Sequence, residues 1–131
     1  MKVAAHIAAT LLGLAFVAFG LMNLLGFMPK DPPPMPPPAM SFMAAMMPTG
    51  YMKFIALIQL LGGLMVLIPR TRNLGLLFLG PIIVNILAFH IFLTGGHDIA
   101  PGVVVAALAL FLLYVERRAW IGLVTRSAPA V

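Results

Sequence analysis

The chain has 131 residues, of which 63% are hydrophobic and 8% are charged, and its mean hydropathy is +1.12. This composition excludes an ordinary soluble domain and predicts a membrane protein whose single domain, residues 1–131, is the whole chain. The formal net charge is +5, but the eight Lys and Arg residues lie singly or in pairs beside apolar segments, which excludes a nucleic-acid-binding face. The absence of cysteine excludes disulfides, thiol catalysis and thiolate metal sites.

Four apolar segments approach the length of about 20 residues that a helix needs to cross a bilayer core. They predict transmembrane helices over residues 4–28, 51–68, 74–93 and 101–120. The fourth reaches its length only through "ERRAWIGLV", in which Arg117 and Arg118 would extend to the membrane surface and Trp120 would lie at the interface. The first is longer than the apolar part of a signal peptide, so we expect it to be retained as a helix.

Basic residues are distributed unevenly between the two ends of the predicted spans. Two lie on one side, Lys30 and Lys53, and six lie on the other: Lys2, Arg70, Arg72, Arg117, Arg118 and Arg126. Because basic residues concentrate in cytoplasmic segments, the side with six is predicted to be cytoplasmic, together with both termini. The expected fold class is therefore an all-α membrane protein, a bundle of four transmembrane helices with cytoplasmic N and C termini.

Small residues lie on one face of the first predicted span and in the "LLGGLM" of the second. On the first span they are Ala5, Ala9, Gly13 and Gly20. Small side chains let two helix backbones approach closely in a membrane. These positions predict close helix packing and do not indicate what the bundle binds.

The outer loop, residues 29–50, is rich in proline and methionine. Six of the seven residues 32–38 are proline, which predicts an extended polyproline segment. The uncharged "AMSFMAAMM" that follows predicts a short helix at the outer interface or in the mouth of the bundle. Its Met40, Met43 and Met46 are a candidate copper(I) site, because copper(I) favours soft sulfur ligands. The alternative is that these flexible side chains fill irregular apolar space.

Polar side chains lie in the outer half of the predicted spans. A rise of about 1.5 Å per residue places Gln59 and Asn85 about 12 to 13 Å below the outer surface and His90 about 6 Å below it. Asn23 lies at the level of His90, and Lys53 lies just above. Because an unpaired amide in hydrocarbon is costly, we expect Asn85 and Gln59 to face the interior and to find a partner there, with each other as the nearest candidate. The five residues predict an outward-facing polar pocket; alternatively, the amides only hold the helices together.

The inner half of the spans is expected to be almost purely apolar except for His6, which lies near the inner surface. The acidic residues Asp31, Asp98 and Glu116 all lie in predicted loops or at a helix end. No buried carboxylate pair or proton relay is therefore expected, and an enzyme that acts alone is the least favoured interpretation.

Residues 20–93, approximately, resemble the DoxX family of small four-helix bacterial membrane proteins. The matching stretches are "GLMNLLGFMP", the proline-rich loop running into "MMPTGY", "LLGGLMVLIPRTR" and, most specifically, "LGPIIVNILAFHIFL". The resemblance implies a four-helix bundle in the bacterial inner membrane with cytoplasmic termini. It also implies an accessory or anchor role linked to quinone-dependent redox or oxidative-stress processes. Members commonly have Glu where this chain has Gln59. The chain therefore lacks the protonatable carboxyl of those members, which does not favour a proton-coupled mechanism.

The leading functional hypothesis is a non-catalytic accessory subunit that binds a quinone or another small apolar ligand near Asn85, Gln59 and His90. Quinone carbonyls accept hydrogen bonds, which suits amide and imidazole donors. Two alternatives stay open. One is a structural or assembly protein that binds another membrane or redox protein without a ligand, and the other is a methionine-rich membrane protein that handles metal.

Overall fold

The computed structural model describes residues 2–27 and 34–125, which are helical apart from short turns and contain no strand. The helices are α1 (Lys2–Leu25), α2 (Pro37–Met46), α3 (Tyr51–Leu67), α4 (Arg72–Ala88), α5 (Ala100–Val115) and α6 (Arg117–Val124). A 3-10 turn, Pro69–Thr71, precedes α4, and a π-helical turn, Phe89–Leu93, continues it. The prediction of an all-helical chain is confirmed.

Two helices of the described ranges are long and apolar enough to cross a membrane: α1, and the helix that runs from Pro69 to Leu93 through α4. Two further pairs satisfy the same criteria if each bent pair counts as one span. These are α2 with α3, bent by 84°, and α5 with α6, bent by 81°. The described residues therefore contain two to four candidate membrane spans.

The fourth predicted span differs from the observed helices. The sequence predicts one helix over 101–120, whereas α5 ends at Val115 and the chain turns by 81° into α6. Arg117 stabilises this corner: its Nη1 donates to the carbonyl of Tyr114 at 2.9 Å, and its guanidinium lies 4.5 Å from the Tyr114 ring centroid. The bend lies where Arg117 and Arg118 begin α6, which is amphipathic.

Glycines bring α1 and α3 into close contact. A Cβ added to Gly13 would lie 2.9 Å from the carbonyl oxygen of Gly63, and one added to Gly20 would lie 2.8 Å from that of Ala56. Larger side chains at these positions would separate the two backbones. The four small residues that the sequence places on one face of α1 are all buried: Ala5, Ala9, Gly13 and Gly20. The packing prediction for this face is confirmed.

The other neighbouring helices are also antiparallel. Gly75 near the start of α4 faces Val66 near the end of α3, and Gly102 near the start of α5 contacts Leu87 near the end of α4. The start of α1, the end of α3, the start of α4 and the end of α5 with α6 therefore lie together, and we call this the Arg72 end. The opposite end, formed by α2 and residues 89–98, is called the Thr94 end.

The short helix predicted in the outer loop is present as α2. It lies over the Thr94 end, where the Phe42 and Phe89 rings are 5.4 Å apart and Ala39 is fully buried. The polyproline prediction is only partly correct: Pro36 is extended, with φ −55° and ψ 152°, but Pro37 and Pro38 form the first turn of α2. Proline suits a first helical turn because its missing amide hydrogen has no intrahelical partner there. Residues 28–33 lie outside the described ranges.

Candidate functional site

Gln59 lies in the interior of the bundle, as predicted. Its side chain on α3 is 8% exposed and lies on the same helix face as the buried Ala56 and Gly63. Its Oε1 is buried and has no hydrogen-bond partner among the described residues. An unpaired buried acceptor is uncommon and costs free energy of the order of 1 to 3 kcal/mol.

Asn85 does not face the interior, and the prediction that it turns inward is wrong. Its side chain is exposed, and its Nδ2 donates to the carbonyl of Pro81 at 2.8 Å. Within the described ranges, no hydrogen bond joins Asn85 to Gln59. The physical reason is that a short polar side chain can bond to the carbonyl one turn earlier on its own helix, so it need not turn inward to find a partner.

His90 is bonded within its own turn at the Thr94 end. Its Nδ1 donates to the carbonyl of His97 at 3.0 Å, which assigns the neutral ring a proton on Nδ1. The buried Thr94 hydroxyl lies 2.7 Å from the carbonyl of His90 and 3.1 Å from that of His97. Positive φ angles at Gly95 and Gly96, 69° and 93°, close this turn. The imidazole is therefore held locally rather than by Gln59 or Asn85.

The remaining predicted site residues do not complete a pocket. Asn23 is half-buried near the end of α1 and Lys53 is exposed near the start of α3. Two grooves that the structure describes lie at the Arg72 end, and neither is lined by any of the five residues predicted to form the outer pocket. The structure thus leaves Gln59, Asn85 and His90 in three different surroundings.

The methionines of α2 also lie in different surroundings. Met40 is exposed, whereas Met43 and Met46 are half-buried. A spacing of three residues turns successive side chains by about 60° around a helix, so the three sulfur atoms spread over a broad arc. No group of three His, Asp or Glu residues that could hold a metal occurs in the parts of the chain that the structure describes. The copper site stays a prediction.

The most polar part of the interior is at the Arg72 end. Arg72 is only 7% exposed, its Nε donates to the carbonyl of Val66 at 3.1 Å, and its Nη2 lies 3.5 Å from Nδ1 of His6. The Thr71 hydroxyl donates to the carbonyl of Met65 at 2.8 Å. Two carbonyls in the last turn of α3 therefore have partners, and the cation lies at the negative end of the α3 dipole.

Two more polar atoms are buried at this end without a hydrogen-bond partner among the described residues, Oδ1 of Asn73 and Nε1 of Trp120. Arg72 and Asn73 lie between predicted spans and Trp120 lies at the end of one, so the expectation that the inner half of the spans is almost purely apolar stays a prediction. Sequence reasoning assigned Arg72 to a turn between spans. The sequence held no clear signal for this burial, because α4 is apolar on every side; only the structure shows that Arg72 shares a helix stripe with the core residues Leu76 and Leu79.

No protein family, no curated protein and no solved structure matches this chain significantly. The DoxX resemblance therefore rests on the quoted sequence stretches. Within the described residues the interior offers one buried cation and several hydrogen-bonding groups, and the carboxylates of Asp98 and Glu116 lie in turns outside the helix interior.

Proposed function

We propose that this chain is a DoxX-like protein with four membrane spans and cytoplasmic termini, located in the bacterial inner membrane. Its proposed role is that of a non-catalytic accessory or anchor subunit, linked to a redox process, that binds another membrane protein. The exposed amide of Asn85 on α4 carries the proposal. Leu77, Pro81 and Val84 share its helix stripe and are exposed as well, and we call these four residues the α4 outer face.

The amide of Asn85 is incompletely bonded on that face. One N–H is directed to Pro81, and the other N–H and Oδ1 have no partner among the residues that the structure describes. A second transmembrane helix that carries a hydroxyl or an amide would satisfy both groups, and each such bond stabilises helix association by about 0.6 to 2 kcal/mol. The surrounding side chains are apolar, so a partner helix can pack around the amide.

Co-purification from native membranes in mild detergent tests this proposal. We expect a stoichiometric membrane-protein partner with the wild-type chain and its loss with Asn85→Leu. Gln59→Leu is the matched control, because it removes an amide from the interior and leaves the α4 outer face unchanged. Purification of the wild-type chain alone, or equal retention of the partner by both variants, would contradict the proposal.

Gln59 supports a second candidate function, the binding of a quinone or quinol in the interior. Its Oε1 is buried without a partner, and its amide nitrogen offers donors. A quinol hydroxyl donates to such an oxygen, and a quinone carbonyl accepts from such a nitrogen. The residues beside Gln59 on the same face of α3, Ala56 and Gly63, are apolar and buried.

Binding of decylubiquinone and decylubiquinol to the purified protein tests the second candidate. We expect a ligand-dependent rise in the unfolding temperature that Gln59→Leu abolishes and Asn85→Leu preserves. The two variants therefore have opposite roles in the two experiments, which separates partner binding from ligand binding. The ligand hypothesis is rejected if neither compound changes the unfolding temperature of the wild-type protein.

A further inference from the structure

We infer that the Arg72 end binds an acidic phospholipid, with its phosphate at Arg72 and His6 and an acyl chain along α1. The first observation is a buried cation without an anionic partner. Arg72 is 7% exposed, and no carboxylate oxygen of the described residues lies within 4.0 Å of its nitrogens. A buried charge is costly unless it is paired, so the geometry favours an anion from outside the chain.

The guanidinium of Arg72 retains donors for that anion. Nε is bonded to the Val66 carbonyl and Nη2 lies beside His6, whereas Nη1 has no hydrogen-bond partner in the described part of the chain. Arginine donates to phosphate oxygens in a planar, often bidentate arrangement. The bond to Val66 and the contact with His6 orient the guanidinium, which lowers the side-chain entropy that binding would cost.

His6 supplies a second donor at the same place. Its Nδ1 lies 3.5 Å from Nη2 of Arg72, so a neutral imidazole that accepts from the guanidinium carries its proton on Nε2. The side chain of His6 is exposed on α1, which leaves this N–H open to a ligand. Arg72 and His6 come from chain positions 66 residues apart, and only the packed bundle brings them together.

An apolar groove lies along α1 and includes His6. It is lined by Val3, His6, Ile7, Thr10 and Leu11, and its volume is about 400 Å³. Val3, Ile7 and Leu11 are each more than half exposed. The Thr10 hydroxyl donates to the carbonyl of His6 at 2.7 Å, so this polar group is bonded to its own helix. The groove presents almost no polar surface and suits an acyl chain.

The charge at this end selects an acidic headgroup. The described residues there include one acidic side chain, Glu116, and five basic ones: Lys2, Arg70, Arg72, Arg117 and Arg118. Basic residues at a membrane surface attract acidic lipids, whereas a zwitterionic lipid has no net charge to respond to them. Free inorganic phosphate would satisfy Arg72 but would leave the groove of Ile7 and Leu11 unused. A phospholipid with a net negative charge would use both the guanidinium of Arg72 and the apolar groove of α1.

Native mass spectrometry of the full-length protein, delipidated in detergent, tests this inference. Dioleoylphosphatidylglycerol is the probe and dioleoylphosphatidylcholine is the reference lipid. We expect the wild-type protein to retain the acidic lipid preferentially, and Arg72→Gln to weaken its binding about tenfold, the effect of one charge-assisted hydrogen bond. The matched control is Arg70→Gln, which removes the same charge from an exposed side chain two residues away and should change binding less than about twofold.

Three outcomes would overturn the inference. Equal losses in Arg70→Gln and Arg72→Gln would indicate attraction by net charge alone, and displacement of the lipid by millimolar inorganic phosphate would indicate a free-anion site. The third is unchanged phosphatidylglycerol binding in His6→Ala, a variant that alters an exposed side chain and should preserve the fold. If Arg72→Gln does not fold, His6→Ala takes its place as the test. Weaker phosphatidylglycerol binding by His6→Ala then supports the site, and unchanged binding overturns it.

Discussion

The two ends of the bundle differ in whether a polar contact joins helices that are distant in the chain. At the Thr94 end, His90 and Thr94 bond to carbonyls within seven residues of themselves, and Asn85 bonds to Pro81 four residues away. At the Arg72 end, one guanidinium joins the end of α3 to His6, 66 residues away in the chain. Among the described residues, the polar contacts of the Thr94 end are local, whereas the Arg72 end combines local bonds, such as that of Arg72 to Val66, with one contact, Arg72 to His6, that exists only when the helices are packed. Substitutions at the two ends should therefore differ in how far their effects spread.

The largest effect is expected at Gly75, which holds α4 against α3 beside Arg72. In Gly75→Ala the new Cβ would lie 2.7 Å from the carbonyl oxygen of Gly62 and 2.7 Å from the backbone nitrogen of Val66. Because backbone atoms cannot move aside cheaply, we expect a loss of about 3 kcal/mol in the free energy of unfolding, measured by denaturant titration in detergent micelles. Gly80→Ala in the same helix is the control, since no atom lies within 4 Å of the added Cβ. Equal losses in both variants would contradict the close contact of α3 and α4.

Arg72→Met should have the next largest effect. It retains a long side chain but removes the bond to Val66 and the contact with His6, which leaves the Val66 carbonyl without its side-chain donor. We expect a loss of about 2 kcal/mol in the free energy of unfolding, measured in lipid-free detergent. Arg70→Met, at an exposed position, should change stability by less than about 0.5 kcal/mol. Two small and equal effects would mean that Arg72 does not link the helices.

Thr94→Val should lower the free energy of unfolding by less than Arg72→Met does, and its effect should be confined to the Thr94 end. The substitution keeps the shape of the side chain and removes the hydroxyl that bonds to the His90 and His97 carbonyls. We expect a loss of about 1 kcal/mol in the free energy of unfolding, with faster amide hydrogen exchange confined to residues 89–98. Thr49→Val is the control, because the exposed Thr49 hydroxyl bonds only to the turn before it. Faster exchange throughout α1 and α3 would show that the Thr94 end is not built from local bonds.

Asn85→Leu should have the smallest effect on the isolated chain. The exposed amide bonds only to its own helix, and leucine is compatible with both helix and lipid. We expect the free energy of unfolding in detergent to change by less than about 0.5 kcal/mol, as in the control Val84→Leu on the same exposed face. A loss above about 1 kcal/mol would place Asn85 among the residues that hold the bundle together.

Much of the local structure could be predicted from the sequence. The second span was predicted over 51–68 and the structure has α3 at Tyr51–Leu67, because an apolar run between a glycine turn and a proline leaves little choice of helix boundaries. The small residues of α1 correctly predicted a buried face, since only a face without side chains permits the observed backbone distances to α3. The interior position of Gln59 and the short helix α2 were predicted as well.

Only the tertiary structure decided which polar residues of α4 face inward. The sequence predicted an inward Asn85 and treated Arg72 as a marker of topology, whereas Asn85 is exposed and Arg72 is buried. The physical reason is that α4 is apolar on every side, as a candidate membrane span is, so it has no polar face to reveal its orientation. Helix length and small-residue faces are properties of the chain itself. The rotation of α4 about its axis is determined by its contacts with α3 and α5, and those contacts form only in the assembled bundle.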